Sequence, residues 1–377
     1  MSIVEVRATA VRVPVARPTR ISTRVLDKRD YVLVRVSAAD REDVGIGYAY
    51  AGTNGGRLVA DAVNDLLTPV LLGRAAGDIV GAWDVMYQES LLHGRRGAVI
   101  RALSAVDIAL WDLAAKGADL PLASFLGGGL DPVPAYASGG YYIAEDGPWA
   151  EAVAAEIRGN VALGFTDHKI KVGGLPVVED ARRVTAAVEA MEGVGRLALD
   201  ANNAYRSDTD ARAALRAFEA AAHGHGLWWF EEPLSPDDLA GHARLRARCD
   251  TPIATGEIAA TRWEFRDLIQ AGAADVLQPD AGVLGGVTEY LRVAAAASTF
   301  GLPVAPHWHA NLHAHLHAAT TNALTVEHFD LDKDIYNFEM LLEPESRLVA
   351  ADGHLQIPDR PGIGLVLRED LVARLTV

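Results

Sequence analysis

The 377-residue chain reads as an α/β protein: a closed (β/α)8 barrel preceded by a smaller α+β domain. Three observations predict this. Residues 1–130 run strands first and helices second, the order of an α+β unit. From residue 131 onward, eight short apolar runs alternate with alanine-rich helical stretches, the rhythm of a parallel barrel. A charged or ionisable residue closes almost every one of those runs. The length itself suits one large domain with a smaller partner.

In order along the chain, "VEVRATAVRVPV" and "DYVLVRVSA" alternate as half-buried strands do, and "DVGIGYAYAG" adds a third. Between Val59 and Leu92 the apolar spacing becomes helical. "RALSAVDIALWDLAAKG" (101–117) is the clearest helix: Ala102, Val106, Ala109, Leu110 and Leu113 share a face, and Gly117 supplies a stop. The barrel strands are expected at Val133–Ala137, His168–Val172, Arg196–Leu199, Leu227–Phe230, Pro252–Ala254, Asp275–Leu277, Leu302–Ala305 and Leu324–Val326. An open doubly wound sheet is the rival, but no Gly-x-Gly-x-x-Gly turn follows any of these runs. From about Pro344, short strand-like pieces suggest a return to the first domain.

Composition narrows the function. Half of the residues are apolar, and the net charge of −15 argues against nucleic acid and anionic membranes as partners. A single cysteine, Cys249, excludes an internal disulfide framework and points to a reducing cytoplasm. Arg7, Arg12 and Pro14 interrupt the N-terminal stretch, and nothing approaches a membrane-spanning run. A soluble cytoplasmic protein is expected.

The strand ends carry the chemistry. They finish at Lys169 and Lys171, Asp200, Glu231, Glu257, Asp280, His307 and Glu327, spaced about one βα unit apart. In a parallel barrel all C-terminal strand ends open on one face, so these groups converge. One such carboxylate is ordinarily a helix cap or a surface charge; a full set in register is a site. Asp200, Glu231 and Glu257 end consecutive strands and form an all-oxygen cage suited to Mg²⁺ or Mn²⁺. Strand alternation lets only one of Glu231 and Glu232 face inward, with Glu232 behind the ligand set. Lys169 and Lys171 share a strand face, where a neighbouring cation lowers a lysine's pKa toward that of a usable base. Asp280 and His307 end adjacent strands and make a carboxylate–imidazole dyad. Lysine on one wall and histidine on the other would address both faces of one carbon, while Glu327, if protonated, would hydrogen-bond the enediolate.

Five of the twelve histidines lie in "PHWHANLHAHLH" (306–317). His309, His313 and His317 would form a helical stripe too long to share one ion, its ends about 12 Å apart. His307 is the candidate acid or base, His309 is expected at the pocket mouth, and His313, His315 and His317 belong to the next helix.

With these pieces in place the chain resembles the enolase superfamily, in its mandelate racemase-like subgroup. The resemblance runs end to end: "ALSAVDIALWDLAAK", "LASFLGG", the Lys-x-Lys, "DANN", "EEP", "GE", "PDAGVLGGVTE", and the paired His307 and Glu327. It implies a modified TIM barrel (131–343) under an α+β capping domain formed by residues 1–130 and completed by 344–377. It implies one Mg²⁺ on Asp200, Glu231 and Glu257, replaceable by Mn²⁺, and proton abstraction α to a carboxylate by Lys171, His307 or both. Asp280 would back His307, Lys169 would polarise the substrate carboxylate, and Glu327 would sit on the enediolate.

Members with this residue set are largely acid-sugar dehydratases, with racemases and epimerases fewer, and homo-oligomers are common among them. The capping loops would read the substrate: Arg17, Arg20 and Arg24 in "RPTRISTR", Tyr50 and Asn54 in "YAYAGTNGG". Tyr141, Asn202 and His309 complete the expected substrate contacts. Polar, cationic loops favour a hydroxylated acid, diacids included. The expected activity is dehydration of an aldonic, aldaric or tartrate-like acid to a 2-keto-3-deoxy acid. The alternative is racemisation or epimerisation by the same two bases. A catalytically dead barrel predicts a lost base or ligand, and every expected position is filled. No Lys-Ser/Thr partner supports a P-loop.

Overall fold

A computed structural model describes residues 1–143, 147–333 and 335–377 of the chain. The N-terminal region forms a three-stranded antiparallel sheet of β1 (Ile3–Arg20), β2 (Val25–Ala38) and β3 (Val44–Tyr50), with β2 central. Period-2 alternation sends neighbouring β2 side chains to opposite faces, and here both faces are covered. Val32, Val34 and Val36 enter the core under the capping helices. Tyr31 and Leu33 enter a second core shared with the barrel. Arg29 shares their parity, so the strand delivers its guanidinium to the barrel side. Tyr50 pairs with Tyr31, and Tyr48 with Leu33, which places β3's aromatic residues on that same face.

The expected helix spans Ala98–Gly117 and is mostly buried because it works on two sides. Its apolar stripe packs on the capping sheet so closely that a Cβ on Gly45 would lie 2.2 Å from Ala109 O. A Cβ on Gly47 would lie 2.0 Å from Ala105 O, so only glycine fits at either position. The polar side grips the barrel. Asp107 accepts hydrogen bonds from Thr288 N (2.9 Å) and Thr288 Oγ1 (2.6 Å), at the start of the Gly286–Thr299 helix. Asp112 instead ties the helix to β3 and to the C-terminal stretch, accepting from Ile46 N and Ile363 N, both at 2.7 Å. Buried acceptors saturated in this way fix a docking geometry rather than merely tolerate it.

The barrel follows the expected rhythm. Strands β4 (Val133–Gly139), β5 (His168–Lys171), β6 (Leu197–Asp200), β7 (Leu227–Glu231), β8 (Ile253–Thr255) and β9 (Val276–Leu277) pair in parallel and in chain order. The seventh strand, expected at Leu302–Ala305, is reduced to Val304, which bridges Leu277 on one side and Ala323 on the other. The eighth, β10 (Val326–His328), pairs with β4 and closes the ring. Tyr136, Ala198, Trp229, Ala254, Val276 and Ala305 fill the interior as one packed layer.

The C-terminal segment is divided between the two domains. A hairpin of β11 (Val349–Ala351) and β12 (His354–Gln356) adds antiparallel to β4, on the barrel. Only the stretch beyond it reaches the capping domain. There Leu122 N donates to Gly362 O (2.7 Å), Arg35 pairs with Glu369 at 2.7 Å, and Val377 N donates to Ala10 O (3.0 Å). Among the described residues, no helix is long and apolar enough to cross a membrane.

Candidate active site

At the C-terminal mouth of the barrel the strand-end groups meet. Asp200, Glu231 and Glu257 each offer a carboxylate oxygen, and the three atoms lie within 4.8 Å of one another. The register explains this: Lys171 pairs with Asp200, and Asp200 with Glu231, so inward positions on β5, β6 and β7 stand side by side. Glu257 arrives differently. It follows Gly256, whose φ of +124° and 2.9 Å approach of a built Cβ to the Phe265 ring leave room only for glycine. Glu231 Oε2 accepts from Trp229 Nε1 (2.8 Å) and Gln278 Nε2 (2.7 Å), which fixes that carboxylate. Glu232 turns away from the cage, accepting from Thr255 Oγ1 (2.5 Å), Gly256 N (3.0 Å) and Asn203 Nδ2 (2.6 Å). It therefore holds the turn that carries Glu257.

The cage suits a hard divalent cation. Its donors are oxygens only, and buried Glu257 Oε2 has no hydrogen-bond partner among the described residues. Burial and mutual repulsion act on these carboxylates together. Burial pushes Glu231 up, with Lys169 opposing it and Asp200 adding to it. Burial likewise pushes Glu257 up, against His307. Such crowding is relieved by a metal charge among the three.

Lys169 Nζ sits 2.5 Å from Glu231 Oε1, 2.7 Å from Glu327 Oε1 and 3.7 Å from Asp200 Oδ2. Lys171 Nζ is paired with Asp200 and lies 5.0 Å from the centre of the Tyr141 ring. The lowered lysine pKa expected from the Lys-x-Lys spacing is reversed here. Burial does lower Lys171, but Asp200 and Tyr141 outweigh both burial and Lys169, and the net shift is upward. The protonated Glu327 expected as a donor is also corrected. Burial would raise it, yet Lys169, His307 and Lys171 hold it well below the ordinary range, so it is a carboxylate. Its Oε2 accepts from Trp308 N at 2.8 Å.

Across the mouth, His307 Nδ1 lies 2.9 Å from Asp280 Oδ2, and its Nε2 lies 3.6 Å from Glu257 Oε2. Asp280 Oδ1 accepts from Gly282 N at 2.7 Å, which anchors the dyad to the helix that follows. Burial opposes the imidazolium, but Glu257, Asp280 and Glu327 together raise His307 to about 9.

A cavity of about 310 Å³ lies over these groups, lined by Lys171, Asn202, Glu257, Asp280 and His307 below. Arg24, Arg29, Tyr50, Arg101, Tyr141 and Trp308 also line it. Of the expected substrate contacts, Arg24, Tyr50, Tyr141 and Asn202 line it. The others stand elsewhere. Arg17 lines a neighbouring cavity of about 350 Å³ beyond Tyr141. Arg20 stacks over Tyr142 at 4.9 Å, and Asn54 is exposed, its Nδ2 donating to Thr53 Oγ1. His309 is not at the pocket mouth but fully buried beneath it, against Tyr48 and 3.7 Å from Asp280 Oδ1. The cause is Trp308, whose φ of +69° breaks strand alternation and turns the chain under.

His313 and His315, in the next helix, hold backbone groups in place. His313 Nε2 accepts from Ala281 N (3.1 Å); His315 Nδ1 accepts from Ala123 N (3.2 Å), and its Nε2 faces Ile363 O (3.2 Å). Arg29, Arg101, Trp229 and Gln278 were not expected at the site. Only the odd-numbered parity of β2 hinted at Arg29.

Residues 3–127 match the mandelate racemase / muconate lactonizing enzyme N-terminal domain, and residues 152–371 match the enolase C-terminal domain-like family. The chain is 36% identical to the arabinonate dehydratase of Saccharolobus solfataricus, over 81% of its own length and 80% of that protein's. It is 34% identical to the L-talarate/galactarate dehydratase of Salmonella typhimurium, covering 86% and 77% of the two chains. A racemase from Streptomyces coelicolor, solved with bound magnesium, superposes with a TM-score of 0.91 at 32% identity over the whole of both chains. The chain belongs to the mandelate racemase/muconate lactonizing enzyme family of the enolase superfamily.

Proposed function

We propose that the protein is an Mg²⁺-dependent dehydratase of an acid sugar, giving a 2-keto-3-deoxy acid. The observation that carries this is a pair of proton-carrying groups, Lys171 and His307, that line one cavity together with Glu257 of a three-carboxylate cage. Dehydratase relatives that act on arabinonate and on talarate or galactarate support it. Asp200, Glu231 and Glu257 would hold Mg²⁺, with Mn²⁺ as a substitute. Such an ion would supply positive charge at the substrate carboxylate and would compete with Lys171 for the Asp200 carboxylate.

Lys169, fixed between Glu231 and Glu327, orients the substrate carboxylate from the side. Lys171 removes the α-proton, and His307, kept as imidazolium by Asp280 and Glu257, protonates the departing β-hydroxyl. Two electrons from the α C–H bond form the new double bond as the C–O bond breaks, and the enol product tautomerises to the 2-keto acid. Asp280 keeps Nδ1 bonded so that Nε2 faces the cavity.

Opposed bases also suit racemisation or epimerisation, the second reading. Incubation of the Mg²⁺-loaded protein with aldonic and aldaric acids in D₂O separates the two. Accumulating 2-keto product supports dehydration; α-deuteration without keto product would sink it. The same reading places the protein in the cytoplasm as a homo-oligomer acting on a small hydroxy acid, with neither nucleic acid nor membrane as partner; light scattering in solution tests the oligomer.

A further inference from the structure

The ladder between β4 and β5 stops one residue short of Lys171. Its last pair is Gly139 with Ile170, and Gly140, at a φ of +65°, then turns the chain out of the sheet. On the other side Lys171 still pairs with Asp200, and Val172 N donates to Asp200 O at 2.8 Å. Polar backbone groups alternate between the two neighbours of a central strand. Ala137 N of β4 donates to Asp167 O (2.9 Å), so the odd-numbered residues here address β4. Lys171 O therefore points to the side where the sheet has run out of donors.

A side chain takes the place of the missing rung. Arg183, on the Val177–Ala190 helix and only 1% exposed, donates from Nη1 to Lys171 O (2.6 Å) and from Nη2 to Gly140 O (2.5 Å). One planar guanidinium thus spans the ends of both strands and sets their separation, which a flexible ammonium does poorly. Asp180, one helical turn earlier, aims it. Asp180 Oδ1 accepts from Arg183 Nη1 and from Tyr142 Oη, both at 2.9 Å, and its Oδ2 accepts from Gly173 N at 2.7 Å. The Tyr142 ring centre lies 4.3 Å from the guanidinium carbon. The cluster therefore holds Gly140 and Tyr142, which flank Tyr141, together with Lys171 itself. Asp200, the ion-pair partner of Lys171, is shared with the cage; the grip of Arg183 is not.

We infer that Arg183, aimed by Asp180, is a positioning residue for proton abstraction. It fixes Lys171 against Tyr141 from behind the sheet and acts only through them. This rests on Lys171 as the α-proton base and adds a residue to that reading.

Arg183→Gln and Arg183→Lys are compared with wild type on the aldonic or aldaric acid it turns over fastest, unlabelled and α-deuterated. Rates are divided by the number of Mg²⁺-binding sites found by calorimetry. A misplaced base slows chemistry rather than binding, so Arg183→Gln should lower kcat per site by roughly 100-fold with a full primary isotope effect. KM should stay within about threefold. Arg183→Lys, which keeps charge but not the planar fork, should fall between. A loss that vanishes on division by sites is unfolding alone and overturns the inference. A crystal structure of Arg183→Gln reads the placement without turnover: Lys171 Nζ should move by about 1 Å or more relative to the Tyr141 ring, the scale on which misplacement costs rate. An unmoved lysine overturns the inference. Should Arg183→Gln not fold, Arg183→Lys carries both measurements. Wild-type rates per site in both variants would remove Arg183 and leave dehydration intact. Slowed α-deuterium exchange in Arg183→Gln, with no keto product from wild type, would uphold the positioning role and defeat the dehydratase reading.

Discussion

The two walls of the cavity are built on opposite plans. The barrel wall takes one group from each of several consecutive strand ends, so sheet register alone places Lys171, Asp200 and Glu231 side by side. The capping wall gathers Arg29 from β2, Tyr50 from β3 and Arg101 from the first turn of a helix, and none of these is placed by barrel periodicity. The first plan ties chemistry to the repeat and resists change. The second leaves the substrate-facing side chains open to exchange without disturbing proton transfer. The expected signature is simple: barrel-wall substitutions remove activity on every substrate, and capping-wall substitutions change which substrate is used.

The largest effect is expected at the two proton carriers. Lys171→Ala and His307→Ala should each lower kcat by about 10³-fold or more on all acids tested, with unchanged circular dichroism. Wild-type-like rates in both would refute the site. Next comes Glu257→Gln, which should weaken Mg²⁺ binding by roughly 100-fold, since the amide carries no charge. Direct metal titration would show it, and an unchanged affinity removes Glu257 from the cage.

A third prediction concerns the junction of the two domains, where a change should act on all substrates equally and through stability alone. His315 is buried and held down to about 4, chiefly by burial, while an unfolded histidine titrates near 6.5. Between about pH 6.5 and 4 the unfolded chain binds the proton that the folded chain refuses, so stability falls as pH falls. The slope from this residue is about 1.4 kcal/mol per pH unit. His315→Gln should lose that increment between pH 6 and 5 in urea unfolding; an identical slope would contradict a neutral buried imidazole. The smallest effect belongs to Asn54→Ala. Its side chain is exposed outside the cavity, so kinetics on every acid should stay within about twofold. A large, substrate-selective loss there would show that the capping wall extends farther than Arg24 and Tyr50.

The two plans also explain what could be read in advance. The alternation of apolar runs with helical stretches and the set of strand-end groups follow from periodicity, and seven of the eight runs form strands where they are expected, the seventh run keeping only the bridge residue Val304. The capping wall follows from tertiary docking. "LDKRDYVLV" gives Arg29 a parity, but only the sheet's seating on the barrel decides which parity faces the substrate. Arg101 stands in the first turn of a helix and reads as solvated until Asp107 is seen to fix that helix against the barrel. His309 was misplaced for a related reason. Counting by twos from His307 assumes a strand, but the seventh strand has shrunk to Val304, and Trp308 adopts a left-handed turn that buries the next side chain.

The contact at Gly45 and Gly47 bears on how this protein can acquire new substrates. With backbone meeting backbone there, β3 and the Ala98–Gly117 helix move as one piece, so Tyr50 and Arg101 hold a fixed relation to each other. Adaptation at this wall then proceeds by exchanging side chains on that frame rather than by sliding the strand against the helix.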